Sequence, residues 1–191
     1  LHSRCVEIAK KYGVELLVCS SLNRNSGTMV REKTKMEKML ISGVAADKNV
    51  AKIRVAGLGN DPESTFRLLN LLDRNNLNID VMIQSLGKDG TKSVSFTVAK
   101  PDMLRTIDVL NDNKDSLGIK KLDYDENVAK ISVIGAGVRS HSGVAAKMFG
   151  ALANAGINTE MITTSEIRIT ALIDEAYADQ AMRAIHETFL E

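Results

Sequence analysis

One stretch of this sequence occurs twice, and the repetition constrains the fold more than any other feature. Residues 47–57 read DKNVAKIRVAG and residues 125–135 read DENVAKISVIG, with eight of the eleven positions identical. The chain has 191 residues, enough for one or two compact domains with a buried core. We therefore expect two copies of one small fold, each opened by this stretch.

The first copy continues as a regular succession of apolar patterns. Pro62 suits the first turn of a helix, and Phe66, Leu69 and Leu72 form the apolar stripe predicted for it. The predicted elements are strands at 51–57, 78–85, 91–98 and 119–125 and helices at 62–75 and 101–113. This order is typical of a ferredoxin-like α+β fold (βαββαβ), in which a four-stranded antiparallel sheet carries its helices on one face.

The second copy repeats this order but ends without its last strand. Its predicted elements are strands at 129–135, 157–164 and 166–173 and helices at 143–155 and 175–190. The apolar segment 39–45, MLISGVA, is a further strand that the first copy does not need. We expect it to complete the second sheet, so that one domain spans 47–125 and a second, discontinuous domain spans 39–46 and 126–191.

Residues 1–35 have a different pattern from the rest of the chain. SRCVEIAKKYG predicts a short helix with Ser3 as its N-cap and Gly13 as its stop. Two short strands around a Gly/Asn turn follow, up to Val30. The charged segment 31–38 lacks a continuous apolar face and is interpreted as a linker.

Composition excludes several classes of function. The net charge is +1 and aromatic residues make up 4% with no Trp, so we expect no nucleic-acid partner. No apolar run approaches the ~20 residues that a membrane span needs. Cys5 and Cys19 do not form a disulfide framework, which favours reduced thiols in a cytoplasmic protein. A chain that starts at Leu1 is interpreted as a fragment.

The sequence carries no recognisable catalytic constellation. His2, His141 and His186 lie far apart, with neither Cys nor carboxylate at ligand spacing, so we expect no metal site. His141 is interpreted either as a solvated loop residue or as a contact to an effector. No nucleophile has a base partner, and no phosphate-binding loop is present in the sequence.

Two glycine-containing loops favour a different kind of ligand. The loops at 57–64 and 135–143 lie between a strand and a helix, but they lack the third glycine of a dinucleotide site. A helix N-terminus attracts a carboxylate, and Asp80 and Glu160, at matching places on the next strand, suit an ammonium group. Each shares a strand face with a polar residue, Gln84 and Thr164 respectively. A free amino acid fits this pattern, although plain turns and solvated carboxylates explain it as well.

The same segments resemble a known family. GVAADKNVAKIRVAG, NIDVMIQS, DGTKSVSFTV, DENVAKISVIGAGVRSHSGVAAKMFGAL and MITTSEIRI are similar to the C-terminal part of aspartate kinase. The repeated unit resembles the ACT domain, a small-molecule sensor with this strand order. Residues 1–30 resemble the end of the amino-acid kinase domain, whose nucleotide and aspartate sites lie further N-terminal.

The resemblance implies a regulatory region without catalytic residues of its own. The family's enzyme phosphorylates aspartate with ATP and Mg²⁺, the first step towards lysine, threonine and methionine, and its paired ACT domains bind lysine, threonine or both. Expected partners are the effector, a second copy of the chain and the upstream kinase domain, and no cofactor is expected in the fragment. The effector residues implied by motif are Thr65, Asn78, Ile79, Asp80 and Gln84 in the first domain, and Ala145, Ala146, Thr159, Glu160, Ser165 and Glu166 in the second.

One departure and one alternative accompany this interpretation. Glu63 stands where the family has glycine, and it adds a negative charge where an effector carboxylate would approach. The alternative is a pure assembly module that dimerises the enzyme and binds no effector, since a ferredoxin-like unit has an edge strand and a helix face that readily pair.

Overall fold

The computed structural model describes residues 2–22, 27–31, 41–135, 138 and 143–190, with the backbone alone at Ser3 and Leu190. The chain divides into an N-terminal unit, Leu1–Lys38, and a C-terminal unit, Met39–Glu191. Most of the predicted linker 31–38 lies outside the described residues.

The described residues of the N-terminal unit form one helix and a two-stranded antiparallel sheet. These are α1 Ser3–Tyr12, β1 Leu16–Val18 and β2 Thr28–Val30. The helix ends as predicted at Gly13, which is left-handed at φ 64°. The predicted N-cap was wrong by one residue, because Nδ1 of His2 accepts the hydrogen bond from the Arg4 N–H. Cys5 and Cys19 are free and exposed.

The C-terminal unit follows the predicted order of elements. Its strands are β3 Gly43–Leu58, β4 Met82–Leu86, β5 Lys92–Ala99, β6 Lys121–Ile134, β7 Met161–Thr164 and β8 Arg168–Asp174. Its described helices are α2 Pro62–Arg74, α3 Met103–Asp112, α4 Lys114–Leu117, α5 Val144–Asn154 and α6 Ala178–Leu190.

The strands form one six-stranded antiparallel sheet in the order β4-β5-β3-β6-β8-β7. The sheet contains two ferredoxin-like arrays that share the long strands β3 and β6. In the first array, β4 pairs with β5 and β5 pairs with β3, whose residues 52–56 pair with 121–125 of β6. In the second array, β7 pairs with β8 and β8 pairs with β6, whose residues 130–134 pair with 43–47 of β3.

The pairing of Gly43–Asp47 with Ile134–Lys130 is the contact that the crossover of segment 39–45 requires. Residues 39 and 40 lie outside the described part of the chain. The division into a continuous and a discontinuous domain remains a prediction, since the two arrays are joined without interruption through β3 and β6.

The Asp-x-Asn sequence marks the junction between the arrays on each shared strand. The N–H of Asn49 donates to Oδ1 of Asp47 at 2.9 Å, and that of Asn127 donates to Oδ1 of Asp125 at 2.9 Å. The register of β3 against β6 shifts on both sides of Val50. The junction is therefore an irregularity inside a continuous strand and not a break between the strands predicted on either side of it, and such a bulge changes which face the following residues occupy.

The buried apolar side chains of the described residues form three clusters. In the second array, Val44 and Ala46 of β3 pack with α5 and α6, whereas Ile53 and Val55 of the same strand pack in the first array with α2, α3 and α4. The change from even to odd positions follows from the bulge. A third cluster joins the arrays and consists of Val50, Val81, Val128, Met161 and Leu172.

Helix α2 buries a different stripe from the predicted one. Ser64, Leu68 and Leu72, spaced four residues apart, are buried. Phe66 is 65% exposed, so its assignment to the core was wrong. Phe66 is two residues from Ser64 and Leu68, which places it on the other side of the helix, at ~100° per residue.

The two arrays end their first helices with the same geometry but different residues. Asn76 follows α2 at φ 53°, and Gly156 follows α5 at φ 71°. In both, the next residue donates back to the helix: Leu77 N to Leu72 O at 3.0 Å, and Ile157 N to Leu152 O at 2.9 Å. Both positions require a left-handed residue.

We predict opposite effects for two Gly→Ala substitutions around α5. A Cβ at Gly156 or Gly150 would meet no atom within 4 Å, so only backbone conformation differs. Gly156→Ala should lower the free energy of unfolding by about 1 kcal/mol, because alanine disfavours positive φ. Gly150→Ala lies inside the helix and should raise it by about 0.5–1 kcal/mol. Urea unfolding of both variants measures this, and the same sign for both would contradict the prediction.

Asp61 caps the start of α2. Its carboxylate accepts a hydrogen bond from the Ser64 hydroxyl and from the Glu63 N–H, the latter at 3.0 Å, and Arg67 lies 3.6 Å away. The Ser64 hydroxyl, followed by the backbone donors and Arg67, holds the pKa of the Asp61 carboxyl below its ordinary value. The contribution to stability is therefore present above the ordinary pKa and is lost as pH falls through the lowered value.

We predict that Ser64→Ala raises the pKa of Asp61 towards its ordinary value. The measurement is a pH titration of the side-chain carboxyl ¹³C shifts of the aspartates. The pKa of Asp89, which is lowered mainly by hydrogen bonds from Thr91, is the internal control and should not move. An unchanged midpoint for Asp61 would show that the Ser64 hydroxyl does not set it.

Candidate functional site

The first predicted site lies where β3 leads into α2. A Cβ on Gly59 would lie 2.6 Å from Oδ2 of Asp61, so glycine there admits the capping carboxylate. Because Asp61 already occupies the Glu63 N–H, the helix N-terminus is partly satisfied by the chain itself. Binding of a ligand carboxylate at this helix start remains a prediction, with one of the backbone donors already used by Asp61.

Two of the predicted first-domain residues contact each other. The Thr65 hydroxyl, in the first turn of α2, donates to Oε1 of Gln84 on β4 at 2.6 Å. Asn78 is exposed and Ile79 is partly buried in the first array's core. The predicted strand 78–85 begins later than expected, at Met82, although Asp80 N still donates to the carbonyl of Thr97 on β5 at 3.1 Å.

Asp80 is held by cations from the second array. Its Oδ2 accepts a hydrogen bond from Nζ of Lys130 on β6, and Arg168 on β8 lies 3.8 Å from Oδ1. The same Lys130 Nζ is 3.1 Å from Oδ2 of Asp47. The Lys130 side chain is 13% exposed and that of Asp80 is 45% exposed. Asp80 thus faces solvent while its lysine partner is largely covered.

Glu160 is held in the reverse direction, by a cation from the first array. Its Oε2 accepts from Nζ of Lys52 on β3, and its backbone N–H donates to Leu172 O at 2.8 Å. The preceding Thr159 lines an open depression of about 350 Å³ together with Phe149, Leu152, Ala153, Gly156, Ile157 and Asn158. Through Thr159, the depression includes one residue of the second predicted site.

The start of α5 differs from that of α2. Gly143, at φ 105°, has no side chain with which to cap the helix. Ala145 and Ala146 stand in the first turn, with Ala146 exposed. The loop before it, including His141, lies outside the described residues apart from Gly135 and Val138.

Ser165 and Glu166 lie in the turn between β7 and β8. The N–H of Ser165 donates to the Arg168 carbonyl at 2.7 Å, and the Ser165 hydroxyl lies 3.3 Å from the same oxygen. Both side chains are exposed, as is Thr164 at the end of β7. The turn is therefore closed by its own backbone and presents its side chains to solvent.

Sequence reasoning missed Lys52 and Lys130. Both stand at the same place in the repeated stretch, between a buried alanine and a buried isoleucine. Because successive side chains of a strand point to opposite faces, this lysine lies on the face opposite its two apolar neighbours in both copies. The pattern therefore indicates a cation on that face. Its partner is far away in the sequence, so the pattern could not identify Asp80 or Glu160 as that partner.

Other kinds of site find no support in the described part of the chain. No group of three or more His, Cys, Asp and Glu side chains there could hold a metal ion. No described helix is long and apolar enough to cross a membrane.

Comparison with known proteins places these features in a family. The ACT domain model matches residues 131–189. A structure of aspartokinase alpha and beta subunits is 42% identical, covers 79% of this chain and 99% of that chain, and has a TM-score of 0.74. The ligand-free regulatory subunit of aspartate kinase from Thermus thermophilus is 33% identical over 78% of this chain and 99% of its own, with a TM-score of 0.74.

Curated relatives agree and also show what the chain covers. Aspartokinase of Pseudomonas aeruginosa is 38% identical over 99% of this chain, which corresponds to 47% of that protein. The chain thus spans about half the length of the curated relatives it matches. From the near-complete cover of solved regulatory subunits and the two ferredoxin-like arrays, we conclude that the chain belongs to the aspartokinase family, as its ACT-containing regulatory part.

Proposed function

We propose that this chain binds a free amino acid, lysine or threonine or both, and thereby inhibits an aspartate kinase of which it is a part. The single observation that carries the proposal is the duplication of a helix start and a carboxylate at matching places in a regulatory part of the aspartokinase family. In such an enzyme ATP and L-aspartate give 4-phospho-L-aspartate, and an end product controls the first step of its own synthesis.

The two charged groups of an amino acid need two kinds of partner. Asp80 and Glu160 are the partners proposed for the ammonium group, since both are about one third to one half exposed. The N–H groups at the start of a helix are proposed for the carboxylate. At α5 these donors meet no side-chain cap from Gly143, whereas at α2 Asp61 uses one and Glu63 adds a further negative charge. The second array therefore suits the carboxylate better.

Inhibition requires that the effector bind one arrangement of the enzyme better than another. We place the effector between ACT domains of two copies of the chain, in the cytoplasm, with the kinase domain upstream holding ATP and Mg²⁺. A coupling of about 1–3 kcal/mol between effector and kinase sites is typical of such control.

A second candidate function is assembly alone. The described residues 43–47 and 121–125 pair on one side only, and an open strand edge is a ready site for another chain. In this alternative the arrays dimerise the enzyme and bind no effector. Gel filtration of the chain with and without lysine or threonine, run beside calorimetry, separates the two. An unchanging dimer without heat of binding favours assembly.

We predict that the carboxylates decide effector affinity. Titration calorimetry of lysine and of threonine into the chain should show binding that Glu160→Gln or Asp80→Asn weakens about tenfold, because a charge-assisted hydrogen bond is lost. Asp108→Asn, an exposed position on α3, is the matched control and should leave affinity unchanged. Full affinity in both carboxylate variants would refute these two residues as ligands.

The Glu63→Gly variant tests which of the two sites binds the effector. Removing this charge should tighten binding of an effector held at α2 and leave one held at α5 unaffected. Equal affinity in both proteins would remove Glu63 from consideration as a determinant.

We also predict that the chain by itself does not phosphorylate aspartate. A coupled assay for ADP release with ATP, Mg²⁺ and aspartate should remain at background. Turnover above background that a mock purification lacks would contradict the regulatory assignment.

A further inference from the structure

We propose that Lys52 and Lys130 are part of the two candidate amino-acid sites. The ammonium group of each lysine occupies the position that the ammonium group of the effector would take. The inference rests on the proposed function. Each lysine lies in one array and donates a hydrogen bond to the carboxylate from the other array. An effector would bind by displacing it.

The two contacts are reciprocal, which argues against a chance pairing. Lys130 of the second array reaches Asp80 of the first, and Lys52 of the first array reaches Glu160 of the second. The lysines occupy identical positions in the repeated stretch. The carboxylates occupy matching positions before β4 and β7.

Burial makes the lysine the fixed partner and the carboxylate the accessible one. The side chains of Lys130 and Lys52 are 13% and 24% exposed, whereas those of Asp80 and Glu160 are 45% and 32% exposed. A partly desolvated cation interacts more strongly with its partner than a surface lysine does. The half-exposed acid can still receive an ammonium group from solvent, so the two cations compete for one carboxylate.

Lys130 has a second carboxylate partner if an effector displaces it from Asp80. Its Nζ is already 3.1 Å from Oδ2 of Asp47, so loss of Asp80 leaves it with a carboxylate. Lys52 has Glu160 as its only carboxylate within 4.0 Å among the described residues. Displacement should therefore be easier in the first array than in the second.

The exchange would also link binding to the junction between the arrays. Both ion pairs cross that junction, beside the cluster that contains Val50 and Val128. An effector that breaks one pair removes one attachment between the arrays. The effector therefore favours any arrangement in which the arrays are less tightly joined. A ligand shifts a population only if it binds one arrangement better than another, and this exchange meets that requirement.

The test uses lysine and threonine as probes and methionine as the replacement. Lys130→Met keeps the length of the buried stem and removes the charge, so among the described cations Asp80 retains Arg168 at 3.8 Å, and the effector should bind about fivefold tighter. Lys52→Met should have the same effect at Glu160. Lys121→Met is the matched control, because Lys121 pairs with Asp123 on its own strand at 2.7 Å, and it should leave affinity unchanged.

Asp47→Asn is expected to have the opposite effect. It removes the second carboxylate of Lys130, so displacement becomes harder and affinity should fall by a similar factor. Asparagine keeps Oδ1 as the acceptor for the Asn49 N–H, so the junction is preserved. A purely structural lysine would not produce opposite signs for Lys130→Met and Asp47→Asn.

Unchanged or weakened effector binding in Lys130→Met and Lys52→Met would overturn the proposal. If methionine prevents folding, Lys130→Gln and Lys52→Gln provide the same comparison. A double-mutant cycle of Lys130→Met with Asp80→Asn, followed by urea unfolding, measures the pair without any effector. Coupling in that cycle together with no amino-acid binding by the wild type would mean that the proposed function fails. The pairs would then be structural links only, which also overturns the inference.

Discussion

The pairing of β3 with β6 positions every other described element of the C-terminal unit. These strands contain the two copies of the repeated stretch, and they run antiparallel with Val50 opposite Val128, equivalent residues of the two copies. Two like segments that pair in this way are related by a local two-fold axis. Each contact that one copy makes with the other half therefore implies a matching contact in the reverse direction.

The observed contacts follow this rule. Lys52 lies opposite Asp125 in the ladder, and Lys130 lies opposite Asp47. The two cross-array lysine–carboxylate pairs are a further example, as are the matched hydrogen bonds at the ends of α2 and α5. Since β3 supplies 43–47 to the second array and 52–56 to the first, the second array gains its fourth strand from residues that precede the whole of the first array. The shared ladder thus makes the two arrays one structure.

Much of this could be predicted from the sequence, and the failures have physical causes. Helix α2 was expected at 62–75 and lies at Pro62–Arg74, because a proline and a stripe of leucines are local signals. Phe66 was wrongly assigned to the buried stripe of the helix, because an apolar side chain alone does not show which side of a helix is buried. The predicted cap Ser3 was displaced by His2, a difference of one residue in a helix boundary. The carboxylates Asp80 and Glu160 were predicted on strands and lie just before them, and their lysine partners depend on contacts between residues far apart in sequence.

Departures from the two-fold relation lie in the loops, which the shared ladder does not constrain. Asp61 and Glu63 place two carboxylates at the start of α2, where α5 starts at a glycine without a side-chain cap. Among the described residues, Lys130 has two carboxylates within 4.0 Å and Lys52 has one. The first array therefore has the weaker attraction for an anionic group and the more easily released cation, and the second has the reverse. Duplication followed by such divergence gives two sites of equal geometry and unequal charge. Two such sites allow one fold to bind two amino acids with different affinities.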